Sequence, residues 1–430
     1  MKTIKMKYGN TFMDVAIPEE KFLGIIESKG EKINKKEEEE VVLEALKNPI
    51  ESKPLREMVK SSEKICIIIS DVTRAWQKMS FYLSFIVDEL NEAGIKDKDI
   101  TFLCATGTHR SQTKEEHELL LGKKLSKRFE VIDHNCFDEE HLVYLGKTSF
   151  GTPISINKKA IEADHIILTG AIVFHDLAGW GGGRKSILPG IASFESIMAN
   201  HALALSKEIG EGSNPEVRCG SVDKNPIHLD MMEAASFVKP SFLFNVILDD
   251  QGCIIKAVAG NYEKAHTVGR RMVDELDGVW IKEKADLVIA SAGGYPKDIN
   301  LYQATKALSN AKEAVNLGGY IIILSECIEG FGNEDLRRII EKYKNNIERE
   351  CAVREKFTVA KYIGYDMAVS ARKWHVIFVS NIDKDLLEQV NIRVVKTVKE
   401  ALNLVYKEKG KSLKTYFMPY GGNTLPKIEK

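Results

Sequence analysis

Short, almost continuously apolar runs alternate along the chain with longer stretches of helical periodicity. Three such runs lie in the first half, at 64–70, 100–106 and 165–169. Runs of this kind are typical of strands in parallel sheets that helices cover on both faces. The first half of the chain is therefore predicted to form an α/β domain around a largely parallel sheet.

The same pattern begins again after a helical stretch at about 261–284. Apolar runs at 286–291, 320–324 and 376–380 predict the strands of a second α/β domain. A chain of 430 residues also exceeds what one hydrophobic core usually organises. We predict two α/β domains with largely parallel sheets and a cofactor and substrate cleft between them. The first covers 1–270 and the second 275–400, with the C-terminal segment 405–430 packing back on the first.

Two features near the N-terminus predict local structure. Polar and apolar residues alternate over 1–18 around Tyr8-Gly9-Asn10, which predicts a β-hairpin and differs from the continuous apolar core of a secretory signal. The charged run from Glu31 to Glu40 predicts a solvated loop followed by the start of a helix.

Composition narrows the class of protein. A formal net charge of -1 gives no general reason to expect nucleic acid or an anionic membrane as partner. No segment holds the roughly 18 uninterrupted apolar residues that a membrane span needs. The seven cysteines are scattered without a C-x-x-C pair, which indicates neither a disulfide framework nor a zinc ribbon. We expect a cytoplasmic protein that binds neither nucleic acid nor membranes, and the oligomeric state stays open.

Polar side chains follow each of the three strands of the first half. These are Asp71-Val72-Thr73-Arg74, Gly107-Thr108-His109-Arg110 and His175-Asp176. Because ligands of open α/β sheets collect at the carboxyl ends of strands, we expect the three segments to converge. His109 and His175 are candidate acid–base groups, since imidazole exchanges protons near neutral pH. Two such groups flanking one carbon suit racemisation, although for either histidine taken alone a structural or solvent-exposed role is more common than a catalytic one.

A glycine-rich stretch, Gly179-Trp180-Gly181-Gly182-Gly183-Arg184-Lys185-Ser186, follows the third strand. Glycines let backbone amides approach an anionic ligand closely, so this stretch with Lys185 predicts a cofactor site. A nucleoside-triphosphate P-loop would need glycine directly before the lysine, where Arg184 stands. The alternative is a tight surface loop with an exposed lysine.

Two further helices carry candidate ligands. Ser193 predicts the N-cap of a helix beginning at Phe194, which places His201 about two turns into it. No His, Cys, Asp or Glu follows His201 at three or four residues. If His201 binds a metal instead of packing in the core, most other ligands must come from a cofactor. Gln303 and Lys306 share one face of a later helix and, like Arg74, suit a small carboxylate.

Taken in order, the motifs show a resemblance that spans most of the chain. The chain resembles the nickel-dependent lactate racemase family, and the resemblance rests on 71–74, Gly107-Thr108-His109, Phe174-His175-Asp176 with 181–185, His201, and Tyr302-Gln303-Ala304-Thr305-Lys306. It implies nickel and pyridinium-3,5-bisthiocarboxylic acid mononucleotide, the nickel-pincer nucleotide, covalently attached to Lys185. It further implies that His201 binds the nickel and that Asp71, Val72, Thr73 and Arg74 contact the cofactor.

The resemblance also implies a reaction. The family interconverts D- and L-lactate, as an isomerase, by proton-coupled hydride transfer through bound pyruvate, with proton transfer by the residues that match His109 and His175. Arg74, Gln303, Lys306 and Tyr302 would contact the substrate, and proteins that make the cofactor are expected partners. A racemase or epimerase of another 2-hydroxyacid or a sugar acid stays open. So does a phosphate-loop transferase or nucleotide-binding protein, in which Lys185 would remain a free amine.

Overall fold

The computed structural model describes residues 1–27, 36–249 and 251–429. Its strands are β1 (Lys2–Tyr8), β2 (Thr11–Ile17), β3 (Phe22–Ile25), β4 (Ile65–Ser70), β5 (Ile100–Ala105), β6 (Val131–Asp133), β7 (Leu142–Lys147), β8 (Pro153–Asn157), β9 (His165–Ala171), β10 (Phe174–His175), β11 (Gly179–Trp180), β12 (Phe242–Leu248), β13 (Ile254–Gly260), β14 (Gly278–Ile281), β15 (Ala285–Ser291), β16 (Val315–Leu324), β17 (His375–Val379), β18 (Ile392–Val395), β19 (Thr415–Met418) and β20 (Leu425–Ile428). Its α-helices are α1 (Glu38–Lys47), α2 (Leu55–Met58), α3 (Met79–Glu92), α4 (Lys114–Leu125), α5 (Lys158–Ile161), α6 (Phe194–Ala202), α7 (Pro226–Val238), α8 (Tyr262–Asp277), α9 (Leu301–Ala314), α10 (Glu334–Glu341), α11 (Asn346–Glu355), α12 (Val359–Lys373), α13 (Lys384–Glu388) and α14 (Val398–Lys409). The predicted α/β class is confirmed.

The chain divides into two compact units. One, which we call the N-unit, comprises Gly30–Leu203 and Gly220–Glu275. The other, the C-unit, comprises Met1–Lys29, Ala204–Cys219 and Leu276–Lys430.

The N-unit is built on a six-stranded sheet in the order β13-β12-β9-β4-β5-β6. All neighbouring pairs are parallel except β12 with β13. The three apolar runs predicted in the first half are β4, β5 and β9, which are neighbours in the sheet. Their side chains are buried on both faces of the sheet, and on one face Ile67 and Phe102 share a core with residues of α3 and α4.

The C-unit contains a second six-stranded sheet, in the order β18-β17-β16-β15-β19-β3, in which every neighbouring pair is parallel. The three runs predicted in the second half are β15, β16 and β17. The predicted N-terminal hairpin is also present, since β1 pairs antiparallel with β2 from Lys2 opposite Ile17 to Tyr8 opposite Thr11. Its apolar face packs into the core of this unit, with Met6 and Val15 fully buried.

These bounds correct the predicted domain bounds, 1–270 and 275–400, at both ends of the chain. The N-terminal hairpin and β3 belong to the C-unit, because β3 pairs with β19. The C-terminal segment 405–430 also stays in the C-unit instead of packing back on the first domain, because β19 pairs with β15. Short strands do not reveal from sequence which sheet they join, so these pairings could not be read from the pattern. The cleft between domains stays a prediction.

Three smaller predictions can be compared with the structure. Helix α1 begins at Glu38, inside the charged run, whereas residues 31–35 of that run lie outside the described residues. Within the described ranges, no helix has both the length and the apolar character that crossing a membrane requires. All seven cysteines are free, and Cys66 and Cys104 are buried in β4 and β5.

The segment Ala204–Cys219 is fixed in the C-unit partly through Asp366 of α12. The Asp366 carboxylate accepts hydrogen bonds from the Ser213 hydroxyl (2.6 Å) and from Nζ of Lys312 (3.0 Å). Burial raises the pKa of this carboxyl, but the Lys312 ammonium and the bond from Ser213 outweigh burial and bring the pKa below its ordinary value. The ionised carboxylate therefore stabilises the folded state above the pKa of an unfolded aspartate, about 4, and this contribution disappears as the pH falls through the lower folded value.

We expect Asp366→Asn to cost about 1–3 kcal/mol at pH 7, because Lys312 loses its charged, partly buried partner. For units of this size, that is a fall of several degrees in Tm. Calorimetry at pH 7 and below pH 4 measures the difference from the unsubstituted protein, which should shrink at the lower pH. A difference that is the same at both pH values would mean that the carboxylate charge is not its source.

Candidate active site

The loop after β4 is held by the Asp71 carboxylate. Asp71 is 3% exposed and caps the 3₁₀ turn Val72–Gln77, because its Oδ1 accepts hydrogen bonds from the backbone amide (3.0 Å) and the hydroxyl of Thr73. Its Oδ2 accepts a hydrogen bond from Nδ1 of His109, in the loop after β5. Burial raises the pKa of Asp71, but the bonds from His109 and Thr73 outweigh burial and lower it below the ordinary value. An ionised carboxylate therefore joins the two loops.

The same 3₁₀ turn presents Arg74 to solvent. Arg74 lies at a kink in the turn, and its Nη1 donates a hydrogen bond to the hydroxyl of Thr73 (2.7 Å). The amide of Val72 donates to Oε1 of Gln112 (3.0 Å), a residue that sequence reasoning did not single out. A guanidinium carries five N–H donors, so Arg74 retains donors for a carboxylate.

His109 is half exposed on one edge and tied to Asp71 on the other. A carboxylate can only accept, so the His109 Nδ1 atom carries the hydrogen. In the neutral ring, Nε2 is then the nitrogen with the available lone pair. This is the arrangement of a general base that a carboxylate orients.

His175 lies on β10, which pairs with β11 in a tight hairpin that sets His175 opposite Gly179. Its Nδ1 accepts hydrogen bonds from the amide of Ala178 (3.3 Å) and from that of Leu177 (3.2 Å), which also donates to Oδ1 of Asp176 (3.1 Å). Oδ1 of Asp176 lies 3.1 Å from the same nitrogen. A nitrogen that accepts from two amides carries no hydrogen, so the hydrogen of the neutral ring is on Nε2.

The glycines after β10 allow close packing against the rest of the N-unit. Gly182 and Gly183 have φ angles of 72° and 57°, in the left-handed region that glycine adopts without strain. A Cβ atom at Gly182 would lie 2.6 Å from Oδ1 of Asn245, and one at Gly183 would lie 2.7 Å from the ring of His266. Any side chain at these two positions would therefore collide with β12 or α8.

The glycine amides have partners in the protein. Gly181 donates to the carbonyl of Val173 (2.7 Å), and Gly183 donates to Oδ1 of Asn245 (2.9 Å). The interpretation in which these glycines turn their amides toward an anionic ligand therefore does not describe these two positions. Asn245 is the one polar residue in the otherwise apolar strand β12, a signal by which the sequence could have revealed its role.

Arg184 fixes the loop from inside. It is 1% exposed, and its guanidinium donates to the carbonyls of Trp180 (2.9 Å) and Ala178 (2.6 Å). Burial, and then the nearby Arg270, lower the pKa of Arg184 to about 9. The arginine that departs from the P-loop pattern therefore stabilises this turn from inside the protein.

Lys185 follows in the 3₁₀ turn Gly183–Ser186 and is partly buried. Burial, followed by the guanidinium groups of Arg184 and Arg74, lowers the pKa of Lys185 to about 7, against the opposing effect of Asp176. The amine is therefore neutral in a large fraction of molecules near neutral pH, and a neutral amine is the nucleophilic form. Charged groups from the loops after β4 and β9 therefore act on the pKa of this one amine.

Helix α6 begins at Phe194 with Ser193 as its N-cap, as predicted, because the Ser193 side chain accepts from the Ser196 amide. His201 is 5% exposed, and its Nδ1 donates to the carbonyl of Ile197 (2.8 Å), which leaves the lone pair on Nε2. Burial, and then the charge of Lys185, lower the pKa of His201 to about 4. A neutral imidazole whose second nitrogen is fixed by a carbonyl is a typical metal ligand.

The remaining predicted residues lie in the C-unit, on α9. Asn300 caps this helix by accepting from the Gln303 amide, and Nζ of Lys306 donates to Oε1 of Gln303 (2.7 Å), so these two residues share a face as predicted. The amide of Tyr302 donates to the carbonyl of Phe331 (3.2 Å).

Comparison with known proteins decides the family. The family model described as the lactate racemase N-terminal domain matches residues 8–212, and that of the lactate racemase C-terminal domain matches residues 281–424. The chain belongs to the lactate racemase family. Family membership makes it a racemase, an isomerase, as the sequence predicted, and implies a cofactor.

Members of the family are similar to this chain in sequence and structure over most of its length. A lactate racemase of Lactiplantibacillus plantarum is 34% identical over 99% of this chain and 100% of its own length. A lactate racemase of Thermoanaerobacterium thermosaccharolyticum is 38% identical over 80% of this chain and 79% of its own. The structure of a lactate racemase apoprotein from that organism has a TM-score of 0.89 at 32% identity, covering 99% of this chain and 100% of the other. A Thermotoga maritima protein, at 20% identity and a TM-score of 0.64 over 92% of this chain and 100% of its own, shares the fold.

The racemase fold builds no protein-only metal centre in the part of the chain that the structure describes, where no group of three or more His, Cys, Asp or Glu side chains could hold an ion. Among those residues, His201 therefore has no set of protein ligands with which to share a metal ion. A neutral imidazole nitrogen and a lysine with a lowered pKa fit a metal group that is attached covalently to the chain.

Proposed function

We propose that the chain interconverts D- and L-lactate with a nickel-pincer nucleotide attached to Lys185. The observation that supports this most directly is the cluster at the carboxyl edge of the N-unit sheet. There, His109 and His175 have fixed Nδ1 atoms, and Lys185 and His201 lie close enough together for the charge of the lysine to lower the pKa of the histidine.

Two residues would hold the cofactor. The Lys185 amine is the attachment point, and Nε2 of His201 supplies a nitrogen ligand to nickel, which accepts imidazole together with sulfur donors. When bound, the group supplies a carbon atom that accepts the C2 hydride of lactate and returns it. The turn at 71–74 is assigned to cofactor contacts by resemblance.

The chain's own residues handle protons and orientation. Nε2 of one histidine takes the hydroxyl proton of lactate as the C2 hydride leaves, which gives pyruvate, and the other histidine returns a proton for the opposite enantiomer. Arg74, Gln303, Lys306 and Tyr302 are assigned to the substrate. A guanidinium, an ammonium and an amide are suited to a small carboxylate.

The phosphate-loop alternative loses support because the amides of Gly181 and Gly183 have protein partners and Arg184 is buried. A racemase of another 2-hydroxyacid would use the same groups. The test is a panel of enantiopure 2-hydroxyacids given to protein produced together with the proteins that make the cofactor, with both enantiomers followed by chiral chromatography. Fastest turnover of lactate supports the proposal, and fastest turnover of another acid transfers the assignment to that acid.

We expect His201→Ala to separate metal binding from cofactor attachment. The variant should retain the mass adduct on Lys185, because the amine that forms it is unchanged, but lose most of the nickel. Intact-protein mass spectrometry and a nickel assay on the same preparation measure the two quantities. Full nickel content in the variant would show that this histidine is not the ligand.

A further inference from the structure

Both oxygens of the Asp71 carboxylate have partners inside the N-unit. Oδ1 accepts from the amide and the hydroxyl of Thr73, and Oδ2 accepts from Nδ1 of His109. The side chain is almost completely buried. Direct contact with a cofactor, the role that resemblance gives to Asp71, would have to compete with these bonds.

The contact with His109 has a chemical consequence. The carboxylate can only accept, so it holds the hydrogen on Nδ1 and leaves the lone pair on Nε2, and it stabilises the ring when Nε2 gains a second proton. The cap formed by Thr73 fixes the carboxylate, so the ring orientation is fixed as well. A buried carboxylate with hydrogen bonds to both of its oxygens thus prepares His109 to accept a proton.

The hydrogen bonds of His175 favour the tautomer opposite to that of His109. Its Nδ1 accepts from the amides of Leu177 and Ala178, an arrangement that places the hydrogen on Nε2. Asp176, whose Oδ1 lies 3.1 Å from the same Nδ1, offers an acceptor only after a proton has moved to that nitrogen. The two histidines therefore begin with different proton positions although their proposed roles are symmetric.

We propose that Asp71 is a positioning residue that fixes His109 as its Nδ1–H tautomer, so that in the resting protein His109 is the proton acceptor and His175, as the Nε2–H tautomer, the donor. The catalytic role rests on the proposed function, whereas the tautomers do not. In the step itself, the substrate O–H bond breaks, an N–H bond forms at Nε2 of His109, and the resulting positive charge faces the Asp71 carboxylate.

The first test is nuclear magnetic resonance of the full chain with ¹⁵N-labelled histidine. Correlations between ring nitrogens and carbon-bound hydrogens distinguish the two tautomers, and His109→Gln and His175→Gln assign the signals. We expect Nδ1–H for His109 and Nε2–H for His175. His109 as the Nε2–H tautomer in the unsubstituted protein would overturn the proposal, whether or not that protein racemises lactate.

The second test is Asp71→Asn, with Glu63→Gln as the matched control. Glu63 accepts from Nε2 of His165 (3.0 Å) at the start of β9, the opposite end of the sheet from the site. Asp71→Asn should change the His109 signals, and Glu63→Gln only those of His165. If Asp71→Asn fails to fold, the tautomers of the unsubstituted protein still decide.

Kinetics of the loaded enzyme then test the catalytic part. By analogy with the orienting carboxylate of a Ser-His-Asp triad, Asp71→Asn should lower kcat by about 10³- to 10⁴-fold with little change in KM. The loss in kcat/KM must be equal from either enantiomer, because their equilibrium constant is one. The adduct mass and nickel content should be unchanged. Near-normal kcat, or loss of the adduct with normal His109 signals, would overturn the positioning role.

Discussion

Lys185→Ala is expected to yield a folded protein without the cofactor adduct and without detectable racemase activity. The reason is that the lysine supplies the only covalent attachment in the proposed site, and no neighbouring side chain can replace its amine. Arg184 points inward to backbone carbonyls, and Arg74 carries a guanidinium that stays protonated. Intact-protein mass spectrometry with peptide mapping around residue 185, and a parallel nickel assay, measure the effect.

Two further variants make this result specific. Lys185→Arg keeps a long basic side chain but removes the primary amine, so it should lose the adduct as completely as Lys185→Ala. Ser186→Ala, in the same turn, should keep both the adduct and the nickel. An unmodified Lys185 in a preparation that nevertheless racemises lactate would refute covalent attachment and leave the family assignment untouched.

The fold was predictable where buried strands appear in the sequence as uninterrupted apolar runs. Strands β4, β5 and β9 are uninterrupted apolar runs because both faces of their sheet are buried, and the polar residues that follow them lie at one edge because the strands are parallel neighbours. Placement of the chain ends was not predictable. Strands as short as β3 and β19 carry no information on their partners, and pairing decides that both belong to the C-unit.

Within the site, the sequence indicated residue types but not their partners. Asp71 and His109 are separated by 38 positions, and only the adjacency of β4 and β5 brings the carboxylate to the ring. The glycine-rich turn was recognisable, but its close approach to Asn245 and His266 depends on β12 and α8. The sequence thus predicted a site with a lysine and two histidines, and tertiary packing determines which nitrogen of each ring is available.

His109→Ala and His175→Ala are each expected to lower kcat by about 10³- to 10⁴-fold, within the usual contribution of a positioned acid or base. Both should retain the adduct on Lys185 and the nickel, because neither ring is assigned to cofactor binding. His141→Gln is the matched control, since its exposed ring contacts only Asp138 among the hydrogen bonds of the described residues.

The double variant distinguishes cooperation from independent effects. If each enantiomer needs both rings, one as base and the other as acid, either single substitution already stops the reaction, and the double variant should be hardly slower than the singles. Losses that multiply would mean that each ring contributes separately. Loss of nickel in both single variants would contradict proton transfer as their role. Initial rates from enantiopure D- and L-lactate, with metal content measured on the same samples, separate these outcomes.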